Sequence, residues 1–347
     1  MRMLTLGRDG PAIPDVCFGT MTFGRQTPED EAYRQLDLAR ERGLTFLDTA
    51  EMYPVNPVEA ETRGLTEEIL GRWMAARGGR GGLVLATKVS GEGSAVIEGG
   101  SPMIGRARLR SAVEASLTRL GTDHIDLFQL HWPNRGSYHF RKHWSYRPGA
   151  DAAGLRAHVE EILAEAQALI AEGKIGRLGL SNETAWGLAQ WIRAAEERGL
   201  PRVASIQNEY SLLCRLFDTD LAEASVMADV PLMGFSPLAT GLLTGKYAGD
   251  VTPEGSRRAR NPDLGGRITP RVFEAVAAYR GLALDWGMDP VVMALAWFRT
   301  RPFTAIPILG ATTLAQLEQQ LPALETTLPE ALVAAIDQVY RAHPLPY

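Results

Sequence analysis

The sequence predicts an α/β protein in which eight strand–helix units close into a (β/α)8 TIM barrel. An N-terminal β-hairpin precedes the barrel, and extra helices follow at the C-terminal end. Three observations carry this expectation. Short apolar runs alternate with helical apolar periodicity almost to the end of the chain. The runs number eight, which a closed parallel barrel accounts for most economically. No linker rich in Pro, Gly or Ser divides the 347 residues, so residues 1–347 read as a single barrel domain, a length barrels routinely reach.

The hairpin is read at 3–6 and 12–14, around Asp9-Gly10, a dipeptide suited to a tight turn. The first barrel strand follows near 16–21. Thr27-Pro28-Glu29-Asp30 reads as a helix start, with Thr27 as the cap, Pro28 in the first turn and acids behind it. Ala32, Leu36 and Ala39 share one face, and Gly43 ends the helix. A strand over 44–47 then ends at Asp48. Helix 65–77 leads to strand 83–86, ending at Lys88. The next helix steps through Leu109, Val113, Leu117 and Leu120 to Gly121, and strand 125–130 ends at His131. The helix through Leu155, Val159, Ile162, Ala166 and Leu169 closes at Gly173, and strand 175–180 ends at Ser181-Asn182. Helix 185–198 precedes strand 203–206, which ends at Gln207-Asn208; helix 216–228 precedes strand 231–235, which ends at Ser236-Pro237. Helices 271–286 and 290–300, a last strand at 303–306, and helices 313–321 and 330–342 complete the chain. Two irregular stretches, 91–106 and 133–154, follow strand ends, where barrel enzymes carry their substrate loops.

Composition narrows the function. Hydrophobic residues make up 45% and charged residues 22%, an ordinary globular mix. A net charge of −5 gives no global attraction for nucleic acid or anionic membrane. No apolar run approaches the ~20 residues of a membrane span, and the first ten residues lack the apolar centre of a signal peptide. Cys17 and Cys214 form no Cys-x-x-Cys pair, so a zinc ribbon or dithiol redox motif is not expected. The expectation is a soluble, cytoplasmic protein with two buried thiols.

The chemistry collects at the strand ends. Asp48, Lys88, His131, Asn182 and Gln207 each close an apolar strand, and in a barrel those ends meet on one rim. A single such Asp is ordinarily a helix cap and a single Lys ordinarily solvated. Brought together, a buried Lys needs a partner and a buried Asp a cation. Tyr53, five residues beyond Asp48, lies within reach. A phenol titrates near 10, and a neighbouring ammonium is expected to lower that value. Asp48 would hold Lys88 charged; His131 could donate a hydrogen bond to a substrate carbonyl or share the proton with Tyr53. Such a set suits hydride addition to a carbonyl, whose oxygen gains charge and needs a proton.

These residues lie within longer runs: Phe18-Gly19-Thr20-Met21, Leu47-Asp48-Thr49-Ala50-Glu51-Met52-Tyr53, Ala86-Thr87-Lys88, and Asp126-Leu127-Phe128-Gln129-Leu130-His131-Trp132. Further on come Gly179-Leu180-Ser181-Asn182, Gln207-Asn208-Glu209-Tyr210-Ser211, and the stretch from Ser236-Pro237-Leu238 to Gly245-Lys246-Tyr247. In this order they resemble the aldo-keto reductases over essentially the whole chain, and most of all the bacterial Tas-like branch. The resemblance implies a (β/α)8 barrel, NADPH, and a catalytic tetrad of Asp48, Tyr53, Lys88 and His131. It further implies that Ser181, Asn182 and Gln207 hold the nicotinamide carboxamide and that Phe235 packs on the ring. Ser236, Leu238, Gly241 and Lys246 would cover the pyrophosphate, and Gly310, Thr312, Gln316, Gln319 and Gln320 the adenosine end.

At that last end the chain departs from the pattern of the family it resembles: Gln316 stands where many members carry Arg, and Gln319-Gln320 where many carry Glu-Asn. Arg257, Arg258 and Arg260 could supply the missing charge, with Arg260 among the expected cofactor contacts. Other patterns fail on context. Tyr138-x-x-x-Lys142 lacks the Gly-rich turn that its dehydrogenase family requires. Gly241 to Lys246 is one residue short of a phosphate loop, with Tyr247 where Ser or Thr belongs. No spaced ligand cluster points to a metal, and no Gly-x-Ser-x-Gly elbow to a hydrolase. Two readings remain beside carbonyl reduction: a non-catalytic NADPH-binding sensor on the same barrel, as in potassium-channel β subunits, and an unrelated barrel enzyme such as an isomerase. The aromatic loop 133–154 would shape the pocket for a small-molecule carbonyl substrate.

Overall fold

The computed structural model describes residues 1–94, 97 and 103–347. The hairpin is β1 (Met3–Thr5) and β2 (Ala12–Pro14), paired antiparallel with Leu4 opposite Ile13. Eight parallel strands then close into a barrel: β3 (Cys17–Gly19), β4 (Phe46–Asp48), β5 (Val84–Val89), β6 (Ile125–Leu130), β7 (Ile175–Ser181), β8 (Ile206–Glu209), β9 (Leu232–Phe235) and β10 (Ala305–Leu309). Closure is made by β10 on β3, with Ile308 opposite Cys17 and Leu309 opposite Phe18.

The helices are α1 (Glu29–Glu41), α2 (Leu65–Ala76), α3 (Arg106–Leu120), α4 (Ala152–Ala171), α5 (Ala185–Arg198), α6 (Asp220–Ala228), the single turn α7 (Arg257–Arg260), α8 (Val272–Asp285), α9 (Pro290–Ala296), α10 (Leu314–Gln320) and α11 (Glu330–Ala342). Period-2 strand geometry sends alternate residues to opposite faces, and this makes two cores. The outer core lies between strands and helices and contains Phe18, Leu47, Leu85, Phe128 and Leu130. The inner one fills the barrel with Cys17, Phe46, Val84, Ala86, Leu127, Met233 and Ile306. Leu6 and Ile13 join the inner core. They meet it among Phe46 and Val84, the first residues of their strands, so the hairpin stoppers the end of the barrel opposite the strand C-termini.

Several boundaries move from the sequence expectation. Thr27 is not the cap of α1: its hydroxyl bonds the Thr22 hydroxyl at 2.9 Å, and Pro28 takes the N-cap position without a side-chain cap. The 216–228 helix breaks at Thr219 because Asp218 turns its carboxylate to Tyr210 and Arg215. The 290–300 helix tightens into a 3-10 turn at Trp297–Thr300. β8 and β10 lie two or three residues later than their apolar runs, since a run marks burial, whereas pairing with the neighbouring strand sets the ladder.

Candidate active site

β4 ends on Asp48, Lys88 is the penultimate residue of β5, and His131 follows β6 directly. Their neighbouring strands are hydrogen-bonded to one another, which brings the three side chains to one sector of the rim. Lys88 is fully buried. Its Nζ lies 2.6 Å from Asp48 Oδ2, 2.7 Å from the Thr49 carbonyl oxygen and 3.3 Å from the Tyr53 hydroxyl. Each of its three N–H groups therefore has an acceptor. Burial alone would discharge this lysine; the Asp48 carboxylate and the Tyr53 oxygen outweigh that and raise its pKa above the ordinary value.

Tyr53 differs from the sequence expectation. Burial is the largest influence on its hydroxyl and pushes the pKa up; Lys88 pulls it down, and the net direction is upward. The phenol is thus a held proton, a donor at neutral pH. The loop that carries it is stitched to β5 by Glu51, whose amide N–H donates to the Lys88 carbonyl at 3.1 Å and whose carboxylate accepts from Ser90 N at 2.6 Å and from Arg108. The His131 ring stands edge-on to Tyr53 with centroids 5.8 Å apart. Burial, with the Lys88 charge behind it, pushes His131 well below the usual histidine range, so the imidazole is neutral. Its Nδ1 is buried with no partner among the described residues.

Two amides complete the surroundings of Asp48. Gln129 Nε2 donates to Oδ1 at 3.0 Å and Gln207 Nε2 donates to the same oxygen at 2.9 Å. Sequence reasoning missed Gln129. Its signal was available: Leu127 points into the barrel, so two residues on, Gln129 points in as well.

The residues that the resemblance assigns to a cofactor fall into two sets. The first sits at the ends of β7 and β9. Ser181 Oγ donates to the Gln207 carbonyl at 2.8 Å, and Asn182 Nδ2 donates to the His131 carbonyl at 2.9 Å. Asn182 Oδ1 is buried and has no partner among the described residues. Asn182 and Ser236 follow their strands with φ of +52° and +56°, a left-handed conformation that Asn adopts comparatively readily but that costs about 1–2 kcal/mol at Ser236. Such strain is commonly kept at binding sites. Phe235, half-buried, lies beside Glu209 in the ladder. Beyond it Leu238 is half-buried, and Gly241, at φ +96°, lets the exposed Lys246 fold back over the turn; a Cβ there would stand 2.7 Å from Lys246 Cε.

The three loop arginines divide. Arg258 clips its own loop, bonding the Val251 carbonyl at 2.9 Å and the Asp250 carboxylate. Arg260 is exposed and bonds the Gly255 carbonyl. Arg257 is half-buried and makes no such clip: its Nε is buried with no partner among the described residues, and burial followed by the charge of Arg267 brings its pKa down to about 10. It remains a cation at neutral pH.

The second set, at β10 and α10, is occupied with itself. Gln316 Oε1 accepts from Thr312 N at 3.0 Å and Thr312 Oγ1 at 3.1 Å. Gln319 reaches Asp289 Oδ2 at 3.0 Å, and Gln320 Nε2 donates to the Gly310 carbonyl at 3.0 Å. The Glu31 carboxylate bonds the first amide of α10, Leu314 N, an acid at this end that sequence reasoning also missed.

The long loop 133–154 is tied down by charge. Arg135 pairs with the buried Glu183, and Arg141 Nη1 reaches Glu209 Oε2 at 2.8 Å. Glu209 also receives Arg267 and the Tyr347 hydroxyl, and those two guanidiniums, against burial, hold its carboxyl below the usual range. Trp132 packs on Phe140 at 6.2 Å, extending an aromatic row outward from His131. Trp144 is 67% exposed. In the 91–106 stretch, residues 95, 96 and 98–102 lie outside the described residues.

A profile of the aldo/keto reductase family matches residues 15–341. The chain belongs to the aldo/keto reductase family. That makes it a member of a family of oxidoreductases that use NAD(P)H. It is 42% identical over 331 residues to Protein tas of Escherichia coli K12, covering 94% of each chain. It is 32% identical over 343 residues to an uncharacterized oxidoreductase, YrpG, of Bacillus subtilis, covering 98% of this chain and 96% of that one. It is also 27% identical over 352 residues to a probable voltage-gated potassium channel subunit beta of Arabidopsis thaliana, covering 99% and 98%. This family member has no helix among its described residues long and apolar enough to cross a membrane. For a nicotinamide dinucleotide, the buried free acceptor on Asn182 and the half-buried guanidinium of Arg257, whose Nε has no partner among the described residues, are a fitting pair: one suits a carboxamide N–H, the other a phosphate.

Proposed function

We propose that the protein is an NADPH-dependent carbonyl reductase, formed by one barrel domain and working in the cytoplasm on small-molecule aldehydes or ketones. The observation that carries this reading is the buried series Asp48–Lys88–Tyr53, with Lys88 Nζ 2.6 Å from the carboxylate and 3.3 Å from the phenol. When bound, NADPH supplies hydride to the carbonyl carbon. Tyr53 gives its proton to the carbonyl oxygen as that oxygen gains charge. Lys88, held charged by Asp48, stabilises the phenolate left behind. His131, neutral, donates a hydrogen bond from a ring nitrogen to the same oxygen; its edge-on distance from Tyr53 supports this role over sharing the Tyr53 proton.

Ser181, Asn182 and Gln207 are assigned to the carboxamide, Phe235 to the nicotinamide face, and Ser236, Leu238, Gly241 and Lys246 to the pyrophosphate. Arg257, half-buried, replaces Arg260 as the loop arginine for a phosphate. Gly310, Thr312, Gln316, Gln319 and Gln320 are left for the adenosine end. Two buried, unpaired cysteines support the cytoplasmic assignment. The test is a panel of aldehydes and ketones with NADPH, followed by loss of reduced-cofactor absorbance. Turnover supports the proposal. Tight NADPH binding with no turnover on any carbonyl would favour a non-catalytic sensor or regulatory subunit; the Arabidopsis relative is named as a probable channel subunit. No binding of NADPH would remove both.

A further inference from the structure

Asp48 is surrounded by more than the lysine. One oxygen takes Lys88 Nζ; the other takes Nε2 of both Gln129 and Gln207. A carboxylate at this position only accepts, so both amides must turn nitrogen toward it. Gln207 Nε2 also donates to Gln129 Oε1 at 3.2 Å. Gln129 is therefore donor to Asp48 and acceptor from Gln207 at once. Asp48, Gln129 and Gln207 come from β4, β6 and β8, the alternate strands that supply one layer of a barrel interior.

The intervening strand makes room for this layer. Gly179 of β7 stands opposite Gln129 in the ladder. A Cβ there would sit 3.0 Å from Gln129 Cγ and 2.6 Å from Ser205 Oγ. The absence of a side chain at 179 lets the two amides meet across β7.

We propose that Gln129 is a positioning residue for carbonyl reduction: it fixes the Asp48 carboxylate and the orientation of Gln207, and so joins the nicotinamide side of the site to the Tyr53 proton. This rests on the reading of the site as a carbonyl reductase. Without the Gln129 N–H, the Asp48 charge is less compensated, and the nearby phenolate becomes harder to form. Gln207 loses its acceptor and the constraint on which way its amide points.

Two variants test this. Gln129→Met keeps length and removes both hydrogen bonds; Gln129→Glu sets a second carboxyl beside Asp48. For Gln129→Met, kcat for reduction should fall about tenfold, the effect of one hydrogen bond to a charged group, while the Kd for NADPH changes about threefold or less. Tyr53 ionisation, read as the ultraviolet difference between each protein and its Tyr53→Phe counterpart, should move to higher pH. Gln129→Glu should regain activity as pH falls and one of the paired carboxyls takes up a proton. A merely structural role would lower Tm and leave the pH profile and the Tyr53 titration in place, and that result overturns the proposal, as does a parental kcat in Gln129→Met. If the parent reduces no carbonyl, the catalytic reading fails separately, and the titration still decides whether Gln129 acts on Tyr53 through Asp48.

Discussion

Between β4 and β6, Asp48, Tyr53 and Lys88 meet around one buried ammonium, whereas at β10 and α10 the side chains assigned to the cofactor are bonded to one another. The first region has no slack. A charge inside the barrel must be compensated by its neighbours, so the identity of each residue dictates where the next one sits. The second region is half open to solvent, and its glutamines satisfy themselves locally until something displaces them. The first region is therefore preorganised by its charges, and the second is held by local hydrogen bonds among its own side chains.

The largest effect should come from Tyr53→Phe. It keeps the ring and removes the proton, so turnover should fall by about 10²–10⁴, with NADPH affinity unchanged in a fluorescence titration. Full turnover in this variant would erase the distinction between the two ends. In the parent protein the raised Tyr53 value keeps the acid protonated, so the alkaline limb of kcat for reduction should lie above pH ~10.

Lys88→Met should abolish most activity and also lower stability by about 3–5 kcal/mol, because it strands a buried carboxylate. Denaturant unfolding reads this directly. An active variant with an unmoved pH profile would mean that the lysine is not part of the proton path.

Arg257→Ala should weaken NADPH binding about tenfold or more through loss of a charge-assisted contact, and Arg260→Ala should change it little, since Arg260 reaches only its own loop. Equal effects would show that the loop rearranges on binding. For the parent, NADPH should bind more tightly than NADH, by a modest margin, because no Arg stands at 316. Gln316→Arg should widen that margin about tenfold; an unchanged ratio would place the adenosine phosphate elsewhere. The smallest effect is expected from Trp144→Ala. With two-thirds of the ring in solvent, stability should not move, and only KM for bulky aldehydes should rise.

The same contrast explains what was legible in the sequence. Eight apolar runs disclosed the barrel, and the six that end in polar residues its rim, because burial and strand direction are written in the pattern. Asp48, Lys88 and His131 were visible as strand ends. Gln129 was hidden inside a strand, where only the two-residue alternation from Leu127 shows that it points inward. Thr27 misled because a capping residue in the right place was already bonded to Thr22. Arg257, Arg258 and Arg260 could not be told apart, since a four-residue turn presents each to a different side and nothing in the sequence says that Arg258 is buried on its own loop while Arg257 Nε is left without a partner among the described residues. Glu31 reaches α10 from 283 residues away, a distance across which no local pattern carries.

The closure of β10 onto β3 has a consequence for how the chain folds. Ile308 and Leu309 pair with Cys17 and Phe18, joining segments from opposite ends of the sequence. Loop-closure entropy makes such non-local pairing slow, and synthesis runs from the N-terminus. On the ribosome, β3 through β9 can assemble only as an open sheet with two unsatisfied margins, a template for pairing with other chains. The barrel cannot shut until residue 309 has emerged, so the risk of aggregation should persist through nearly all of translation and end abruptly with the last strand.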